Sequence, residues 1–468
     1  FSRIARRVTR SKPIVAVKAA RTRAGTRAAS SHTAALAATD DAVDALFRQS
    51  GVIRANTIDE MFDIAACLDA QPLPRGGRVG VVTNAGGPGI LAVDACESAG
   101  LTVADLSPET RRTLATFLPL MASLCNPVDM VASAGGSEYR QTVQAVLSAP
   151  ETDALIIMLT IVDRSKTEDV LAGIRAGVAA ARKAGATQKP VLACLLAEKD
   201  KTPIQVDGER IPVYTFPENA VRALAQIVRY ATWRSEPPGQ FWSFDDIHPD
   251  HARAICREAL DERGAGWLDT DELSRILRAL GVSQVAGAVA HTADDAAALA
   301  RVFGFPVVAK LSSTKVQHKS DIGAVCANLT SDRDVREAYE RIMAAARRIG
   351  TGDGLDGVLV QPMVSGGVET IVGVAHDPVF GPLVAFGVGG VEVEVRRDIR
   401  FRVAPLTDRD ADELLDEIRG AALLKGYRGR PSVDRAALQA LLLRVSRLVE
   451  EVPEIEELDL NPVIALPD

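Results

Sequence analysis

Apolar positions along this chain follow two regimes. Ala154 to Val162 and Val191 to Ala197 are short, continuous apolar runs rich in β-branched residues, the pattern of strands covered on both faces. Elsewhere apolar residues recur at helical spacing. Val43, Leu46 and Phe47 line one side of Asp40 to Ser50, with Gly51 as a stop. Strands are expected at Ile14 to Lys18 and Val52 to Arg54, separated by a small, polar loop from Ala19 to Ser31. Thr57 with Glu60 three residues on reads as a capping box opening a helix to Ala70. After the linker "QPLPRGG", "RVGVVTNAGGPGILAVDACESAGL" reads as strand, Gly-rich turn, helix and Gly stop. Strands at Val103 to Leu106 and Val213 to Thr215, with helices near Glu168 to Ala184 and Glu218 to Trp233, complete an alternation that predicts a doubly wound parallel α/β sheet.

Arg234 to Asp250, with Pro, Gly and aromatic residues, reads as an ordered connector. Asp269 or Thr270 then caps an amphipathic helix bearing Leu273, Ile276, Leu277 and Leu280, closed by Gly281. Strands follow at Pro306 to Ser312 and Gly357 to Val364, around the Gly-rich His318 to Val325. Next come a Gly-rich hairpin pair from Gly366 to Arg402, a helix over Asp434 to Glu451, and a last strand in "ELDLNPVIAL". The expected boundaries are 1–74, 75–235, a linker at 236–266, and 267–468.

Composition narrows the classes. The 468 residues are 47% hydrophobic and 25% charged, with net charge −7. That supports several buried cores and argues against a nucleic-acid binder, which needs a strongly basic face. No apolar run approaches the ~20 residues of a membrane helix, so no membrane partner is expected. Six dispersed cysteines without a CxxC pair suit reduced cytoplasmic thiols. The chain opens at Phe1 in an Arg-rich stretch that lacks an apolar signal core and runs straight into a strand, so it reads as part of something longer.

Four motifs can carry chemistry. His32 in "SSHTAALA" follows a run of small polar residues. A neutral imidazole there suits a nucleophile or phosphate carrier, and equally a solvated loop histidine. The turn Thr83 to Gly89 offers backbone N–H groups and a helix start to an anion, or is simply a tight turn. Lys310 ends the apolar strand "PVVAK", where an ammonium either meets an anion or snorkels to water. Asp459 and Asn461 share one face of the last strand, offering two oxygens to Mg²⁺ or capping a turn before Pro462. His318 lies in a further polar cluster.

Together and in this order, the motifs resemble the nucleotide-forming acyl-CoA synthetases: ADP-forming acetate–CoA ligases and their relatives, including succinyl-CoA synthetase. The likeness covers essentially the whole chain. "KPIVAVKAARTRAGTRAASSHTAALA" is similar to that family's phosphohistidine segment, and "VVTNAGGPGILAVDACESAGL" to its phosphate-holding ligase domain. "FPVVAKLSS", "HKSDIGAV", "GVLVQPMVSGGVET" and "ELDLNPV" resemble its ATP-grasp domain. The resemblance implies flavodoxin-like domains followed by ATP-grasp. It implies that acid, CoA and ATP interconvert with acyl-CoA, ADP and phosphate. By the same likeness, His32 carries the phosphoryl group, His318 relays it, and Asn84, Gly86, Gly87 and Gly89 line the phosphate pocket. Lys310, Gln361, Val364 and Glu369 meet the nucleotide, and Asp459 and Asn461 hold Mg²⁺.

The family's N-terminal CoA-binding domain, and the glutamate that orients its histidine, are expected outside this chain, in cis or on a partner subunit. A homo-oligomer is expected by analogy. Ala20 and Ala324 stand where the family more often has Gly. The alternative is a nucleotide- or acyl-CoA-sensing region fused to a protein acetyltransferase.

Overall fold

The computed structural model describes residues 2–19, 39–196, 198, 201–316, 319, 322–348, 355–389 and 398–467. The chain divides into two compact units, Phe1–Ala35 with Leu46–Pro237, and Leu36–Ala45 with Pro238–Asp468.

The first unit begins with α1 (Ser2–Thr9), β1 (Val15–Val17), α2 (Asp40–Ser50, from Leu46 onward in this unit), β2 (Ile53–Ala55) and α3 (Ile58–Ala70). Parallel pairing of β1 with β2 makes a small sheet. Thr57 caps α3 by accepting from the Glu60 N–H at 3.1 Å. The reciprocal half of the box is displaced by one residue, because Glu60 Oε2 accepts from Asn56 rather than from Thr57.

Then come β3 (Arg78–Thr83), α4 (Gly86–Ser98), β4 (Thr102–Val103), α5 (Pro108–Ala115), β5 (Val128–Asp129), α6 (Gly136–Ser148), β6 (Ala154–Thr160), α7 (Thr167–Lys183) and β7 (Val191–Leu196). The unit closes with the hairpin β8 (Ile204–Val206) and β9 (Glu209–Ile211), then β10 (Val213–Tyr214) and α8 (Pro217–Ser235). The parallel sheet runs β10-β7-β6-β3-β4, with β5 also on β3. β4 covers Thr102–Val103 and stops short of the expected Leu106, and Ser107 then caps α5.

The period of two explains the unbroken apolar run in β6. Leu155, Ile157 and Leu159 face a core shared with Val143, Val146, Ile174 and Val178. Ala154, Ile156 and Met158 face the opposite core with Ile64, Ala92, Leu224 and Ile227. Tyr139, fully buried in α6, donates its hydroxyl to the Met158 carbonyl at 2.9 Å. Tyr139→Phe removes that donor and should cost about 1 kcal/mol in a denaturant titration.

The second unit starts differently from its sequence reading. Within the stretch expected as linker lies α9 (Pro249–Arg263), which buries Ala252, Ile255, Cys256 and Ala259 at helical spacing. It packs on α10 (Thr270–Ala279), whose cap is Asp269 in a capping box with Glu272. The residues before α9 are pinned as an ordered connector. Gln240 N–H donates to Asp408 at 2.7 Å, and the Arg444 guanidinium lies 4.3 Å from the Phe244 ring centroid.

Two antiparallel sheets follow. The first, ordered β11-β14-β12-β13, contains β11 (Ala288–Ala290), β12 (Val307–Ser313), β13 (Val325–Leu329) and β14 (Leu355–Pro362). It is covered on one face by α11 (Ala293–Phe303) and α12 (Asp332–Arg348). The second, ordered β17-β16-β15-β18, contains β15 (Val368–Asp377), β16 (Gly381–Val388), β17 (Ile399–Val403) and β18 (Leu458–Ala465). Its core is filled by α13 (Asp408–Glu417), α14 (Ala421–Leu424) and α15 (Arg435–Glu451).

Candidate functional site

In the first unit, the candidate pocket forms where β3 ends and α4 begins. Thr83 Oγ1 ties the turn by accepting from the Ala85 N–H at 3.0 Å. Ala85 is the N-cap of α4 and supplies no side-chain hydrogen bond, so among the described residues no side chain covers its first-turn amides. The start of α6 on the same sheet is filled from within the chain. Gly135 N–H donates to Glu138 at 3.0 Å and Gly136 N–H to Asp169 at 2.8 Å.

The residues expected at this pocket serve in different ways. A Cβ on Gly87 would meet nothing within 4 Å, so that backbone is open to approach. A Cβ on Gly86 would lie 3.1 Å from Asp129 Oδ2, and one on Gly89 would press on Thr83 and Pro127. Asn84 is buried and bonded to β6: it accepts from Thr160 N–H at 2.8 Å and donates to the Thr160 carbonyl at 3.0 Å. Its side chain therefore locks the turn to the neighbouring strand end.

Asp129 escaped the sequence reading. Its strand β5 is two residues long, and Asn126 places it. That amide accepts from Val81 N–H and donates to the Val79 and Ala104 carbonyls, filling the space between β4 and β5 along β3. "NPVD" was the available signal, but its partners lie more than twenty residues away.

In the second unit, Val307, Ala309 and Leu311 of β12 point into the helix-packed core. Lys310 therefore points to the other face, opposite Val325 on β13 and Leu359 on β14. Gln361 pairs with Val308 on that same face, and its Nε2 donates to the Val285 carbonyl at 3.3 Å. Val364 is half-buried just beyond β14. Burial pushes the Lys310 ammonium below its ordinary pKa.

The second sheet holds the other three predicted residues. Val372 and Val374 face its core, as do Leu458, Leu460 and Val463. Glu369, Asp459 and Asn461 lie on the opposite, exposed face. A register shift between Thr370 and Val372 sets β18 off by one residue, and it is at this irregularity that Asn461 and Pro462 both turn outward. Asp459 pairs with Gly373 whereas Glu369 pairs with Ile464. That separation of about four strand residues, roughly 13 Å, keeps Glu369 and Asp459 from sharing one ion. Among the described residues no group of three or more His, Cys, Asp or Glu forms a metal cluster. His32 and His318 lie outside the described residues.

Family models match the chain in three consecutive parts. They are a succinyl-CoA ligase-like flavodoxin domain over residues 1–68, a ligase-CoA domain over 79–234, and an ATP-grasp domain over 258–468. The chain is 35% identical to the ADP-forming 4-hydroxybutyrate–CoA ligase of Nitrosopumilus maritimus, over 100% of this chain and 66% of the relative. It is 36% identical to ADP-forming acetate–CoA ligase I of Archaeoglobus fulgidus, over 99% of this chain and 65% of the relative. It is 41% identical to subunit beta of ADP-forming acetate–CoA ligase I of Pyrococcus furiosus, over 46% of this chain and 93% of that subunit. The chain thus spans about two thirds of the length of the first two relatives. With the domain order and a nearly complete subunit matched, this chain belongs to the ADP-forming acyl-CoA synthetase family.

Proposed function

We propose that this chain is the phosphoryl-transferring and nucleotide-binding portion of an acid–thiol ligase that interconverts carboxylic acid, CoA and ATP with acyl-CoA, ADP and phosphate. The observation that carries this reading is the likeness to ADP-forming CoA ligases along its full length, in domain order. Its residues divide the work. The uncapped start of α4, with Gly86 and Gly87, suits a phosphoryl anion, and Asn84 and Gly89 hold that turn in shape. Lys310 and Gln361 share one face of the sheet and suit the nucleotide, with Val364 farther along, just beyond β14.

His32 is the carrier between the two. Its neutral imidazole nitrogen attacks the phosphorus of an acyl phosphate. A P–N bond forms, the P–O bond to the acyl oxygen breaks, and the electron pair leaves on the carboxylate. The terminal oxygen of ADP then attacks phosphorus, and the P–N pair returns to the ring. Where His318 relays, its ring nitrogen takes the phosphoryl group from His32, a new P–N bond forming as the His32 P–N bond breaks, and ADP then attacks phosphorus on His318. Asp459 and Asn461 present exposed oxygens suited to Mg²⁺, which takes one or two protein oxygens together with phosphate and water. Bound there, the ion would offset phosphate charge, and Glu369 serves the nucleotide separately. CoA binding falls to a further domain, in cis or on a subunit, in a cytoplasmic assembly of more than one copy. Among the described residues no helix is long and apolar enough to cross a membrane.

Incubating the chain with ATP labelled in the γ-phosphoryl group and Mg²⁺ should yield acid-labile, base-stable label that maps to His32. An unlabelled chain, or acid-stable label on a hydroxyl side chain, overturns the proposal.

A further inference from the structure

We infer that Lys319 is a second phosphate-binding cation of the nucleotide site, paired with Lys310, and that holding the two ammonium groups together burdens the ligand-free fold. This rests on the reading of the second unit as nucleotide-binding and extends it to a residue outside that reading.

The backbone brings the two lysines together. Lys310 stands opposite Val325 in the β12–β13 ladder. Next to it, Leu311 N–H donates to the Ala324 carbonyl at 3.0 Å, and Ala324 N–H donates to the Lys319 carbonyl at 2.9 Å. Two hydrogen bonds through one wholly buried alanine therefore hold the Lys319 backbone beside β12. Both lysines are half-buried. Among the described residues, neither ammonium makes an ion pair or side-chain hydrogen bond. Asp356 is near enough to exert a field, and it accepts from Ser312 Oγ at 3.4 Å. Burial lowers the pKa of Lys319, and the neighbouring Lys310 charge lowers it further.

Two like charges, partly removed from water and offset only by the field of Asp356 on Lys319, destabilise the fold that holds them. An incoming anion relieves both penalties at once. A terminal diphosphate matches the arrangement because it spreads its charge over two adjacent phosphoryl groups, whereas a monophosphate engages only part of it. A lysine that merely snorkels makes the opposite prediction, since truncating it loses packing and lowers stability.

The sign of the stability change therefore separates a ligand-binding lysine from a structural one. The test uses the full chain, with ADP and AMP as probes in titration calorimetry and a thermal unfolding scan without nucleotide. For Lys319→Met, ADP affinity should fall about tenfold, the loss of one charge-assisted contact. AMP affinity should change much less, and the ligand-free melting temperature should stay level or rise. Lys319→Arg should retain ADP binding. Unchanged ADP affinity in Lys319→Met, or equal losses for ADP and AMP, overturns the assignment while leaving the nucleotide site standing. A lowered ligand-free melting temperature overturns the repulsive pairing. A wild-type chain that binds neither nucleotide overturns the underlying reading, and this inference with it.

Discussion

His32→Ala should remove the label that ATP deposits at position 32 and leave at most a remainder on His318. The argument is chemical. A stable phosphoramidate needs an imidazole with one unprotonated nitrogen, and alanine offers no atom for phosphorus to bond. The six histidines include His248, His251, His291 and His376, which stand in neither the phosphohistidine segment nor the His318 motif, so none of them replaces the lost ring. Adding His318→Ala should take the remainder to background. Intact-mass analysis before and after acid treatment reads the outcome. Undiminished label in the single variant would reject the carrier role, whereas label confined to position 318 would leave the relay intact and identify it as the first acceptor from ATP.

Gly173→Ala should destabilise the first unit by about 3 kcal/mol, the upper part of the range for overpacked cores. α6 and α7 meet backbone to backbone. A Cβ on Gly173 would lie 2.1 Å from the Gly136 carbonyl oxygen, and one on Gly177 2.6 Å from that of Arg140. Neither obstacle is the end of a flexible side chain, so relief requires the helices to separate and lose contact across a close-packed core. For a unit of this size the loss corresponds to roughly 6–12 °C in melting temperature. Gly266→Ala is the control. Its added Cβ meets nothing within 4 Å, so stability should hold or rise by a few tenths of a kcal/mol. A Gly173→Ala protein that melts with the wild type would show that the two helices do not pack this tightly.

Much of the architecture was legible where a signal is local. The two-sided burial of β6 follows from its unbroken apolar run, and Asp269 with Glu272 announces the start of α10. The helix α9 was equally legible in its spacing of Ala252, Ile255, Cys256 and Ala259, but the Pro-rich stretch before it drew the linker reading over it. Asp129 and the placement of Asn126 were not legible, because their partners on β3 and at Gly86 are distant in sequence. The irregular register at Asn461 and Pro462 depends on pairing with β15, which no local pattern encodes.

Residue order alone determined the succession of domains and the kinds of chemistry they can offer: an imidazole, glycine-rich turns, a strand-borne ammonium and a pair of oxygen donors. Tertiary structure decided which helix start stays open to an anion. α4 and α6 both begin at glycine, yet Asp169, thirty-three residues beyond Gly136, closes the second, while among the described residues no side chain caps the first. A backbone N–H binds whichever acceptor the fold carries to it, and that choice is made by packing across the sheet.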